Sequence, residues 1–279
     1  MTNAIEVHDL VKVFGQEINA LTASIARMNL YLNGVEDFSI VREDTLAHPA
    51  FVDGSHLRKF DIVLANPPYS IKTWNREAFM NDKWGRNFLG TPPQGRADYA
   101  FFQHILASMD DKTGRCAILF PHGVLFRKEE SDIRQNLLKN DLVDCIIGTG
   151  RNLFYNSCMD ACVVICRKNK PNNRKNKILF IDAKSEVTRK NAESYLEPHH
   201  IEKIVSAYQS YISNEGFCSV VDNNIVLNNN AKMSVALYVK NNSFANEESI
   251  DSEEAIEEWN SQSDSLNCEL NKLLNYFDN

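Results

Sequence analysis

Between Leu10 and Lys170 short β-branched apolar runs alternate with segments whose apolar residues recur every three or four positions. That alternation predicts an α/β sheet with crossover helices. The runs Val11–Phe14, Phe38–Arg42, Phe60–Ala65, Arg115–Phe120, Leu142–Ile147 and Ala161–Cys166 read as strands, with a further one at Ile178–Ile181. Helices are expected at Glu17–Leu32, Asp98–Met109, Glu129–Lys139 and His199–Ser213. The first is the clearest, because Ile18, Leu21, Ile25, Met28 and Leu32 repeat at helical spacing and Gly34 supplies a stop.

The connections carry their own signals. Ile71–Gly95 contains Gly, Pro and Asn with four aromatics and reads as a long loop, a length that often serves function. Arg167–Lys177 holds six basic residues around Pro171 and reads as a solvated hairpin turn, with a phosphate-contacting loop as the alternative. After a polar linker at Asn241–Asn246, the residues Trp259, Leu266, Leu270, Leu273, Leu274 and Phe277 mark an amphipathic helix over Ser252–Phe277, whose stripe packs back on its own domain or docks on another subunit. The expected organisation is a partial catalytic core over 1–170, an extension of that core over 171–240, and an acidic linker and helix over 241–279.

Charge changes the picture only locally. The chain carries −7 overall. Residues 241–279 hold ten acidic groups against Lys272 alone, so the body over 1–240 is +2. Such a body permits nucleic-acid contact without demanding it. Seven cysteines without a C-x-x-C pair suit reduced thiols in a cytoplasm rather than a disulfide framework. Cys158, Cys162 and Cys166 recur every four residues, yet Cys162 and Cys166 would share a strand face with Val164, which points to buried thiols and no metal. No run of 18 apolar residues occurs, and Met1–Leu10 lacks the pattern of a signal peptide. The expected location is the cytoplasm.

The segment with chemistry in it is Asp61-Ile62-Val63-Leu64-Ala65-Asn66-Pro67-Pro68-Tyr69. An apolar strand stops at two prolines, which end sheet pairing and fix φ, so the carbonyls just past the strand point in set directions. Sites in open α/β sheets lie at the carboxyl ends of strands, where this tetrapeptide falls. A rigid turn with an aromatic packed on it is the bland alternative.

Asn-Pro-Pro-Tyr resembles the catalytic motif of amino methyltransferases acting on adenine N6. The resemblance implies that the Asn66 side-chain oxygen and the Pro67 carbonyl accept hydrogen bonds from the target amino group, with Pro68 holding the turn. It also implies that Tyr69 stacks on a base swung out of the duplex. Two acceptors on an amine whose lone pair is delocalised favour a pyramidal nitrogen, and both bonds strengthen as positive charge develops.

The flanks resemble the modification subunit of type I restriction–modification systems. They comprise Phe14-Gly15-Gln16-Glu17-Ile18-Asn19, Ala26–Leu30 and Asn33-Gly34, then Glu43-Asp44-Thr45-Leu46, Arg96–Phe102, Ile118–Phe126 and Asn152–Tyr155. By that resemblance Glu17 binds the ribose hydroxyls of S-adenosylmethionine, and Asp44 with Thr45 contacts its adenine. Asn66 lies beside the cofactor, and Phe154 or Tyr155 supplies a second stacking face. On local sequence alone Glu17 also reads as a helix N-terminal charge, Asp44 as a helix cap, and Asp98 as either a cap or a wall of the cofactor pocket. Gly148-Thr149-Gly150 reads as a turn, and His199-His200 as the start of a surface helix.

The resemblance implies a Rossmann-like methyltransferase sheet of seven strands, here incomplete at its N-terminus, with a C-terminal helical tail. Only sixteen residues precede Glu17, with Gly15 the sole glycine, so the glycine-rich cofactor loop of the family has no place here and the fragment alone is expected to be inactive. The implied function is DNA adenine-N6 methylation, with double-stranded DNA, a specificity subunit and a restriction subunit as partners. Glutamine methyltransferases of release factors and RNA guanine-N2 methyltransferases share the tetrapeptide and are the rival enzymes. An inactive interaction fragment is the rival of another class.

Overall fold

The computed structural model describes residues 12–154, 160–190 and 193–239. The chain divides into compact units Met1–Lys240 and Asn241–Asn279, and all described residues belong to the first. The expected tail helix and linker, Tyr155 and Cys158 lie outside the described residues.

The chain opens with β1 (Val13–Glu17), α1 (Ala20–Leu32) and β2 (Phe38–Arg42), then a small hairpin of β3 (Val52–Asp53) and β4 (His56–Leu57). Next come β5 (Ile62–Ala65), α2 (Arg76–Met80), α3 (Asp98–Ala107), β6 (Arg115–Pro121), α4 (Ser131–Lys139) and β7 (Val143–Thr149). They are followed by β8 (Ala161–Arg167), β9 (Lys177–Ala183), the pair β10 (Thr188–Lys190) and β11 (Glu193–Tyr195), α5 (Pro198–Ser210), β12 (Cys218–Asp222) and α6 (Asn223–Asn228).

Among the described residues six strands form one mixed sheet in the order β12-β9-β7-β8-β6-β5, and β1 pairs in parallel with β2 as a separate ribbon. β5 runs parallel to β6, with Ile62 opposite Arg115 and Ala65 opposite Ile118. β8 lies antiparallel to both β6 and β7, and β7 runs parallel to β9. This is an α/β arrangement of strands with helices on their faces, as the alternation in the sequence predicts.

The middle of the sheet is buried on both sides. Ile146, Ile178 and Phe180 face a core shared with Phe102, Leu106, Ile133 and Leu137 of α3 and α4. Their neighbours Cys145, Ile147, Leu179 and Ile181 face the other way, against Ile204, Ala207 and Tyr208 of α5. Alternate residues enter opposite cores, so the strands read as unbroken apolar runs.

Several expectations need correction. The first strand runs to Glu17, and the helix begins only at Ala20, because the Asn19 side chain accepts the amides of Leu21 and Thr22 and so sets the helix start. The long loop holds a short helix, α2, capped by Asn75. Arg167–Lys177 is no solvated hairpin turn: β7 lies between β8 and β9, and Lys170 and Arg174 are buried against Asp141 and Asp144. Gly148 and Thr149 belong to β7 rather than to a turn. His200 is buried, its Nδ1 accepting the Glu197 amide as part of a capping box. Cys162 and Cys166 are buried beside Val164 as expected, and burial pushes the Cys162 thiol up to about 12.

Candidate functional site

The tetrapeptide leaves β5 at its carboxyl end. Pro67 is buried, Asn66 and Pro68 are exposed and Tyr69 is half-buried. The Tyr69 hydroxyl donates to Asn66 Oδ1 at 2.9 Å, which fixes the rotation of the amide. An amide oxygen carries two lone pairs, so this bond leaves a second acceptor direction open. Burial, with the Asp98 carboxylate near, raises the Tyr69 phenol above its ordinary value, so Tyr69 stays a donor at neutral pH.

The turn is held from below. Ser70 has φ of 52°, a conformation that a non-glycine residue adopts at a cost. Its amide donates to Asp98 Oδ1 at 2.7 Å, and Arg127 Nη1 donates to Asp98 Oδ2, also at 2.7 Å. Asp98 is fully buried at the head of α3, where the cap position is Ala97 and has no side-chain bond. The cap reading of Asp98 is therefore wrong: its Oδ1 holds the turn after Tyr69 and its Oδ2 takes Arg127. Charge-assisted bonds of this kind are about twice as strong as neutral ones.

Behind Arg127 lies Glu130, fully buried, with Arg127 Nη1 3.7 Å away and no hydrogen bond to either carboxylate oxygen among the described residues. Burial pushes its carboxyl up to about 7.

The second cluster lies at the carboxyl ends of β1 and β2. These strands are in register, Glu17 opposite Arg42, and the Glu43 amide donates to the Glu17 carbonyl at 3.2 Å. Glu17 and Asp44 therefore stand at one end of the β1–β2 ribbon. Glu17 Oε1 accepts the Asn19 amide at 2.7 Å. Asp44 Oδ1 accepts the amides of Leu46 and Ala47, closing a turn rather than starting a helix. Each acid keeps its other oxygen as an acceptor, the right chemistry for the hydroxyl and amino donors of a nucleoside.

No contact joins Asn66 directly to Glu17 or Asp44 among the described residues; the turn after Asp44 is held instead by Arg86. Its guanidinium, 3% exposed, donates to the carbonyls of Thr45 (3.0 Å) and Leu46 (2.9 Å) and pairs with Asp82 at 2.6 Å. Burial by itself would raise Asp82, but the hydrogen bonds from Arg86 outweigh it and hold the carboxyl below its usual range. Thr45 thus enters through its carbonyl. His104 lies 3.4 Å from Arg86, and burial together with that guanidinium pushes its imidazole down to about 3. Phe154 is half-buried, and no ring contact links it to Tyr69 among the described residues.

Residues 2–247 match the family described as N-6 DNA methylase. The chain belongs to the N-6 DNA methylase family. It is 35% identical over 244 residues to the methylase subunit of type I restriction enzyme MjaVII from Methanocaldococcus jannaschii, a match covering 82% of this chain and 41% of that one. It is 31% identical to the MpnII methylase subunit from Mycoplasma pneumoniae, over 88% of this chain and 46% of the other. The solved methyltransferase subunit of a type I restriction–modification system from Streptococcus thermophilus superposes with a TM-score of 0.75 at 34% identity, covering 81% of this chain and 48% of that one. A class I S-adenosylmethionine-dependent methyltransferase from Listeria monocytogenes shares the fold, with a TM-score of 0.52 at 13% identity. The methylase fold is therefore α/β and Rossmann-like with a mixed sheet, and the chain spans less than half the length of these relatives.

Arg86, Arg127 and Glu130 are the parts of this methylase's site region that sequence reasoning misses. Each acts through a partner 29 or more residues away or through burial, and neither leaves a local pattern. His122 is a fourth. It opens a 3-10 turn just past β6, the neighbour of β5, with Nε2 buried and lacking a partner among the described residues. Burial lowers its imidazole. The run Pro121-His122-Gly123 is visible in the sequence, but nothing in it says that the strand ends beside β5.

Proposed function

We propose that this chain forms the catalytic half of a type I DNA methyltransferase subunit that methylates the N6 amine of an adenine turned out of duplex DNA. The observation that carries the reading is the placement of Asn-Pro-Pro-Tyr at the free carboxyl end of β5, with the following turn pinned through Ser70 to a buried Asp98. In this reading the open lone pair of Asn66 Oδ1 and the Pro67 carbonyl accept the two N–H bonds of the amine. Pro67 and Pro68 keep the carbonyl direction fixed, because neither can relax in φ. Two fixed acceptors hold the nitrogen in the shape it needs to attack and stabilise the charge it gains. Tyr69 and Phe154 offer the faces on which the extruded base stacks.

S-adenosylmethionine supplies a methyl group on a sulfonium that leaves readily, so no strong base is required of the protein. Glu17 is the acceptor for its ribose hydroxyls, Asp44 and Thr45 flank its adenine, and Asn66 lies between cofactor and base. Sequence choice belongs to a specificity subunit and cleavage to a restriction subunit, partners drawn from the type I systems to which the relatives' names refer.

The test is Asn66→Ala in the complete enzyme that carries this sequence, with methyl transfer to duplex DNA measured beside transfer to release factor. The expected loss is about 10²–10³ in rate on DNA with little change in cofactor affinity. Near-normal methylation by the variant, or activity on release factor alone, removes the reading.

A further inference from the structure

The basic run Arg167–Lys177 divides its charges between two tasks. Lys170 and Arg174 are buried against Asp141 and Asp144, and Lys168 pairs with Asp111 at 3.5 Å. Arg167 and Lys175 instead line a cavity of about 680 Å³, together with Lys112 and Arg115. That volume lies within the range of small-ligand sites. The cavity sits where β5 and β6 begin and antiparallel β8 ends, so it occupies the end of the sheet opposite Asn66.

Its charge is unbalanced. Arg115 and Arg167 stand directly opposite each other on the pair β6–β8. Side chains in that relation have Cβ atoms about 5 Å apart, and like charges there cost stability unless an anion lies between them. Neither guanidinium has a hydrogen bond or ion pair among the described residues, and neither do the ammonium groups of Lys112 and Lys175. The acids nearby are engaged. Asp61 Oδ1 accepts the Thr113 hydroxyl, Asp110 Oδ1 accepts the amides of Lys112 and Thr113, and Asp111 and Asp141 hold Lys168 and Lys170. The rim is also fixed in advance. Lys170 Nζ donates to Asp141 at 2.6 Å and to the Lys177 carbonyl at 2.8 Å, and the Asn176 amide donates to Asp141 at 2.9 Å. A rim held this way loses little freedom when a ligand arrives.

We propose that this cavity binds a small molecule carrying two or more phosphate groups. One phosphate bridges Arg115 and Arg167, whose planar forks match phosphate oxygens, and Lys112 and Lys175 take the next. The amides of Asn169 and Asn172 and the second oxygen of Asp61 are left for hydroxyls on the carrier. No aromatic ring lines the cavity, so a nucleobase finds no stacking face there. The Asp61 carboxylate in the wall works against the unbroken phosphate row of a duplex. Free polyphosphate and a phosphorylated sugar share the required chemistry and differ in their hydroxyls. The site is independent of the methyl transfer proposed above.

The test is calorimetry on the full 279-residue chain at physiological ionic strength, with tripolyphosphate, fructose bisphosphate, inorganic phosphate and a short DNA duplex as probes. Tripolyphosphate or the bisphosphate is expected to fill one site at least about tenfold more tightly than inorganic phosphate. Whichever of the two binds more tightly identifies the source. Arg115→Gln and Arg167→Gln are each expected to weaken that binding about tenfold or more. Thermal melting supplies a second readout. Without ligand, Arg115→Gln should melt at or above the parent, because a repulsion is removed, and with ligand the parent should gain the larger shift in Tm. The proposal is overturned if neither polyphosphorylated probe binds, or if both Gln variants bind them as the parent does. Inorganic phosphate binding equally well overturns it as well, since the cavity then takes any anion. So does displacement of tripolyphosphate by the duplex, which would make the surface one for nucleic acid. A ligand-free Tm for Arg115→Gln below the parent's has the same force, because Arg115 is then already compensated.

Discussion

β7 and β9 on one side of the molecule and β1 and β5 on the other are built from similar apolar residues but live in different surroundings. Every residue of β7 from Val143 to Gly148 is buried, with α4 contributing to one face and α5 to the other. β5 is half-buried on one face and exposed on the other, and β1 is half-buried throughout. The tetrapeptide sits on the second kind of strand. The turn after it is held from elsewhere, through Asp98, which accepts from the Ser70 amide and from Arg127. The difference separates two tasks: one region supplies stability and anchors, the other supplies an open edge.

That contrast can be broken by mutation. The largest effect is expected for Asp144→Ala in the packed region. Asp144 is fully buried, paired with Arg174 at 3.0 Å and accepting the Tyr208 hydroxyl at 2.7 Å. Removing it strands a buried guanidinium, and urea unfolding should show a loss of about 3–5 kcal/mol. A loss below about 1 kcal/mol would mean that this side is no stiffer than the other.

A smaller effect, visible only through pH, is expected at Glu130. Its folded carboxyl is raised from 4.5 to about 7 by burial, so the native state binds a proton more tightly than the unfolded chain. The resulting stabilisation is complete below about 4.5 and is lost as pH rises through about 7. His104, held down at about 3, contributes the opposite slope below its ordinary 6.5, so the comparison must be made against Glu130→Gln rather than read from one curve. Relative to the parent, Glu130→Gln should gain stability between pH 5 and pH 8. Parallel curves for the two proteins would show that Glu130 ionises freely.

The smallest effect is expected on the open side. Leu64→Asp and Ile25→Asp, both 59% exposed, should shift the stability of this chain by no more than about 0.5 kcal/mol each. A loss of several kcal/mol in either would show that the open faces are covered in solution, and would sharpen the contrast into one between a permanent and an exchangeable core.

Much of this was legible in the residues. Periodicity places α1, α3, α4, α5 and the strands β2 and β5 to β9 within a few positions, because each buries a face whose pattern repeats locally. The tetrapeptide announces itself through two adjacent prolines at a strand end. Charge clusters were less legible. Lys170 and Arg174 look like a solvated loop because a sequence does not show that Asp141 and Asp144 lie across from them. Asp98 looks like a helix cap because caps are local, whereas its partner Ser70 is 28 residues away.

By itself the sequence determined the element types, the strand that ends in Asn-Pro-Pro-Tyr, and the acidic residues at the ends of β1 and β2. These follow from local steric rules and from the short-range period of apolar burial. Only the tertiary structure decided the rest. It settled that β8 inserts antiparallel between β6 and β7, and that Arg86 holds the Thr45 carbonyl. It placed Asp98 and Arg127 beneath Ser70. It also left β1 and β5 in separate sheets among the described residues. Strand order and the pairing of buried charges depend on which distant segments share a core, and no pattern within one segment encodes that.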